Sequence, residues 1–132
     1  MNGKPISPEK NIFLIRIAIA MGAVMFALVS LFTRSREPMV GDPNVLSSLR
    51  YATFGLSAAA IGVALIVRSA LAGKTLQQQY SFTIGGWAAG EAAALVACVQ
   101  HFQGGTIPVM VIGFLAFASV FVLLPIPTGS RG

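Results

Sequence analysis

The sequence predicts an all-α membrane protein, a bundle of four transmembrane helices with short loops. Three observations carry that prediction. Hydrophobic residues make up 55% of the 132-residue chain and charged residues only 10%, with a mean hydropathy of +0.79; a soluble domain carries roughly 25% charge. Four apolar runs approach the ~20 residues that cross the ~30 Å hydrocarbon core of a bilayer. The nine Lys and Arg residues gather at the ends of those runs and not along one face, which is how topology signals are placed. The same placement argues against nucleic acid as a partner despite the net charge of +5. The expected partners are the lipid bilayer and other membrane subunits, alike or unlike.

The first span is expected over about 12–32, unbroken by charge except Arg16. It is longer than the roughly 7–15 apolar residues of a secretory signal. A polar stretch from Thr33 to Ser48 holds Arg34, Arg36, Glu37, Pro38, Gly41, Asp42 and Pro43, a mixture typical of turns. The second span covers about 49–71, with Arg50 and Arg68 near its ends, where long side chains can reach the interface. A polar link over 72–79 leads to the third span, about 80–102. Gln103-Gly104-Gly105 interrupts it, and the fourth span runs over about 107–124, ended by Pro125 and Pro127, since proline removes a backbone donor and clashes with the preceding turn. Lipid-facing backbone must bond within its own segment, and no period-two alternation of a barrel is present. One integral membrane domain, 1–132, is therefore expected.

Four spans place the N-terminus, the second loop and the C-terminus on one side. Lys4, Lys10, Arg16, Arg68, Lys74 and Arg131 fall there, against Arg34, Arg36 and Arg50 opposite. Six against three predicts both termini in the cytoplasm, with a bacterial inner membrane as the location.

Glu91 is the one acid between Pro43 and the C-terminus, and it lies midway along the third span. Ten residues at 1.5 Å each set it about 15 Å from either end. A carboxylate at such a depth costs about 2.5–3.5 kcal/mol by insertion scales. Its neighbours at helical spacing, Trp87, Ala88, Ala94 and Leu95, are all apolar, so its own helix supplies no counter-charge and the neutral acid is expected. Such a group serves either as a polar contact to a facing helix or subunit, or as a carrier of protons or cations.

Small residues surround it. Gly85, Ala89, Ala93 and Ala97 form one stripe, and Gly86, Gly90, Ala94 and Cys98 a second. Spacing of this kind lets backbones approach closely in lipid. Gly55, Ala59 and Gly62 offer a matching surface on the second span. His101, at the exit of the third span, is expected to be solvated; the alternative is a ligand to haem or a chlorophyll-type pigment. Tyr51 and Tyr80 lie near span boundaries, as aromatic belts do. The single Cys98 permits no internal disulfide. No metal cluster and no nucleophile–base pair is discernible, so neither a catalytic residue nor a metal ligand is assigned, no cofactor is named, and an enzyme is not expected.

The stretch Gly85-Gly-Trp-Ala-Ala-Gly-Glu-Ala-Ala-Ala-Leu95 resembles the carboxylate helix of the c-type proteolipids of rotary ATP synthases. Together with the second span and its Lys- and Gln-bearing link it resembles their hairpin over about 55 residues. That resemblance implies an ion-carrying role for Glu91. The chain departs from those proteolipids in lacking a glycine-rich stripe on the first helix of the hairpin and an Arg-Gln-Pro-like loop. It also resembles small, four-span bacterial membrane proteins of uncharacterised function with a Glu-Ala-x-x-Leu third helix. From the small-residue faces and the scarcity of polar groups for an enzyme site, the expected function is an accessory or structural subunit of a larger membrane complex.

Overall fold

Three of the four helices begin in a polar flank whose side chains satisfy first-turn backbone N–H groups. Ser7 accepts from the Lys10 amide ahead of Pro8, and Asp42 accepts from Asn44 and Val45 ahead of Pro43. Thr75 and Gln78 form a reciprocal capping box. These caps fill donors that the helix itself leaves unpaired, and proline at the first position is already preset for helix. The computed structural model describes residues 7–37 and 40–128, with Gly3 and Pro5; Lys4 and Arg131, counted above for topology, lie outside the described residues.

Four helices result: α1 (Pro8–Arg36), α2 (Pro43–Ala70), α3 (Leu76–Phe102) and α4 (Ile107–Leu123). No strand occurs among the described residues. α1, α2 and α3 begin before the expected apolar segments because their caps lie in the flanks, whereas α4 keeps to its expected span. Thr33–Arg36 continues α1, Pro43–Ser48 belongs to α2, and Leu76–Gln79 opens α3. Much of what reads as loop in the sequence is therefore helix. With 29, 28 and 27 residues, α1, α2 and α3 are long and apolar enough to cross a membrane. α4, with 17 residues, is about 26 Å long.

α3 is the centre of the arrangement. It packs against α1, α2 and α4, and α2 also meets α4. The α2 face that turns inward is Thr53, Ser57, Ala60, Ala64 and Val67, a 4-3-4-3 spacing on one side of a helix. Ala60, Ala64 and Val67 gather around Trp87 with Ile12, Val120 and Leu124. α1 stands apart, burying only Ile12, Ala23 and Ser30. Its outer face presents large apolar residues such as Phe13, Leu14, Met25, Leu28 and Phe32.

α3 and α4 approach closely. A methyl group on Gly113 would collide with the Ala97 side chain, and one on Gly86 with Leu124. One on Gly90 would stand 3.2 Å from Val120 and 3.3 Å from Phe117. Missing Cβ atoms thus set the spacing of these two helices, and dispersion across a tight contact follows.

Candidate functional site

One stripe of α3, with Trp87, Glu91 and His101, faces Arg16, Gly22 and Ser30 of α1. At the lower end stands Trp87, fully buried, its indole N–H donating to the Leu124 carbonyl at 2.8 Å. Phe121 meets its ring edge-on at 5.6 Å between centroids. Arg16 reaches across from α1: its guanidinium donates to the Phe121 carbonyl at 2.9 Å and lies 5.3 Å and 5.0 Å from the Trp87 and Phe121 ring centres. A cation over aromatic faces with a carbonyl acceptor is held without any acid. In sequence Arg16 counts as a topology charge and Trp87 as an apolar neighbour of Glu91; in the structure the two join α1, α3 and α4.

Glu91 follows one turn further along α3. Its Oε1 lies 3.4 Å from where a Cβ on Gly22 would be, so the carboxyl fills the notch that this glycine leaves on α1. The side chain is half-buried and Gly22 exposed, which sets the group at the outer edge of the α1–α3 contact. Side-chain hydrogen bonds from α1 to the rest of the chain come from Arg16, Ser30 and Arg34, and among the described residues none reaches Glu91.

At the far end of the stripe, the Ser30 hydroxyl lies 2.8 Å from His101 Nδ1 and 3.2 Å from the Cys98 carbonyl oxygen, while Arg34 donates to the His101 carbonyl at 3.0 Å. His101 is 4% exposed. The expectation of a solvated histidine is thereby corrected: α1 covers it, and its Nδ1 is engaged by Ser30. For the alternative role as a pigment or haem ligand, only Nε2 remains outside this contact.

The small residues divide sharply. Gly86, Gly90, Ala93 and Ala94 are buried and Ala89 half-buried. Gly85, Gly55 and Ala59 are exposed, and Gly62 is half-buried. A Cβ on Gly55, Gly62 or Gly85 would meet nothing within 4 Å. Within the chain these three glycines are not at a close helix contact, because the buried faces of α2 and α3 run through Ser57, Ala60, Gly86 and Gly90 instead.

The stripe that combines Arg16, Glu91, Ser30 and His101 joins residues of α1 and α3 that no local motif connects. The signal available in sequence was the presence of Arg16, Ser30 and Gly22 inside one apolar run. The chain matches no family model, no curated protein and no solved structure.

Proposed function

We propose that this chain is a small integral membrane protein of four spanning helices that acts as an accessory or structural subunit of a larger bacterial inner-membrane complex. Its neighbour docks along the outer edge where α1 meets α3. The observation that carries this reading is Glu91, half-buried over Gly22 at mid-helix and bonded by no described group. In hydrocarbon an unsatisfied carboxyl is destabilising, and a donor or acceptor from an adjacent subunit relieves that cost. The exposed small residues Gly55, Ala59 and Gly85 supply further surface for close helix approach by another chain.

A second reading rests on the same residue. A carboxyl that is partly open and without a fixed counter-charge can carry protons or cations, as in the proteolipids that α2 and α3 resemble. Two substitutions separate the readings. Glu91→Gln keeps a hydrogen-bonding side chain, so under the subunit reading the complex assembles and works. Glu91→Leu removes that capacity and lowers recovery of co-purifying subunits by roughly tenfold, the equivalent of one to two kcal/mol for an interhelical hydrogen bond. Unchanged co-purification of Glu91→Leu would sink the subunit reading. Under the carrier reading, Glu91→Gln assembles normally but loses pH-linked activity that dicyclohexylcarbodiimide blocks in the wild type.

A further inference from the structure

α1 and α4 both pack on α3, yet their backbones stay apart. Between them runs a groove of about 480 Å³. Ala20, Val24 and Ala27 of α1 line one wall, and Phe114, Ala118 and Phe121 of α4 line the other. Behind it the three helices meet at Ala23, Ala94 and Phe117. The volume falls in the roughly 300–1,000 Å³ range of small-molecule sites. Every side chain along the groove is apolar, which offers nothing to a sugar or a nucleotide and suits a hydrocarbon chain.

One end of the groove is charged. The Arg16 guanidinium lies 5.0 Å from the Phe121 ring centre and donates to the Phe121 carbonyl at 2.9 Å. That bond engages one of the five N–H donors of a guanidinium, and the side chain is only half-buried. Donors therefore remain for an anion, in the fork geometry that holds a phosphate through two oxygens. Phe121 comes two residues before the end of α4 at Leu123, so the charge stands near a helix end. On α4 the groove extends from Phe121 to Met110, about 16 Å at 1.5 Å per residue. One leaflet of a ~30 Å hydrocarbon core is about 15 Å deep.

An anion site at one end and one leaflet's length of apolar wall behind it describe a single kind of ligand. We infer that the α1–α4 groove binds an anionic phospholipid, with one acyl chain between the two helices and the phosphate on Arg16. Basic sites between spanning helices take such headgroups. The site rests on the membrane residence proposed above and not on Glu91, which does not line the groove.

The test is native mass spectrometry of the detergent-purified protein after incubation with phosphatidylglycerol or phosphatidylcholine of the same chain length. The wild type should retain phosphatidylglycerol at least fivefold better. Arg16→Gln should lower that preference several-fold and leave phosphatidylcholine retention as it was. Ala118→Phe, at an exposed position on the groove wall, should lower retention of both lipids several-fold, because it fills the seat of the tail. Ala58→Phe, exposed on α2 away from the groove, should change neither. Trp87 fluorescence shows that each variant is folded, and Ala118→Phe decides the matter if Arg16→Gln is not. Equal retention of the two lipids by the wild type overturns the inference, as does unchanged retention in Ala118→Phe. A wild-type dimer that Ala118→Phe abolishes would give the groove to a second copy and overturn it too. A protein that stays in solution without detergent would sink the membrane reading itself, and this site with it.

Discussion

A methyl group built on Gly113 would stand 2.9 Å from the Ala93 carbonyl oxygen and collide with the Ala97 side chain, whereas one built on Gly85 meets nothing within 4 Å. These glycines share a residue type and a helical setting, so their substitution separates packing from propensity. Gly113→Val should destabilise the bundle by about 1–3 kcal/mol through overpacking. Gly85→Ala should stabilise it, by up to about 1 kcal/mol, because alanine is the better helix former. Denaturation in mild detergent, followed by Trp87 fluorescence, reads both; equal effects would show that α3 and α4 do not approach as described. This contrast could not be read from the sequence. α3 carries Gly or Ala at 85, 86, 88, 89, 90, 92, 93 and 94, so small residues lie on every face and spacing alone does not say which stripe is buried. Glu91 could be singled out, since one acid in an apolar run is conspicuous. Its seat over Gly22 could not, because a glycine 69 positions earlier gives no local sign of its partner.

Helix α1 is attached by few groups. It buries Ile12, Ala23 and Ser30, and its polar ties are Arg16 to Phe121, Ser30 to Cys98 and His101, and Arg34 to His101. Ser30→Ala should therefore weaken α1 docking by about 1 kcal/mol, the usual worth of one hydrogen bond. A nitroxide on the exposed Phe26 should then report faster motion, while one on Val63 of α2 is unchanged. Equal mobility at both sites in Ser30→Ala would count against the attachment described. The number and type of the helices were legible, because apolar length and flanking charge are local properties. Their ends were not: Pro and Asp in 33–48 signal turns by composition, yet at a helix start the same residues are caps. The short connection over 37–42 follows from that.

Taken whole, the chain is a central helix with three others around it, α1 on one side and the α2–α4 pair on the other. Crossing by α1, α2 and α3 alone would leave the two ends of the chain on opposite sides; crossing by α4 as well returns them to the same side. Reporter fusions at each end settle this. Both should report the cytoplasm, in keeping with six basic residues against three, and a split result would mean that the 17 residues of α4 do not span. The order of synthesis has its own bearing on α1. It leaves the ribosome first, but the His101 that Ser30 must meet is added 71 residues later. At 5–20 residues per second that interval is roughly 4–14 s, during which α1 lacks the last of the contacts that fix it within its own chain. Two nascent copies made side by side can then exchange first helices, each completing the other, before either is finished.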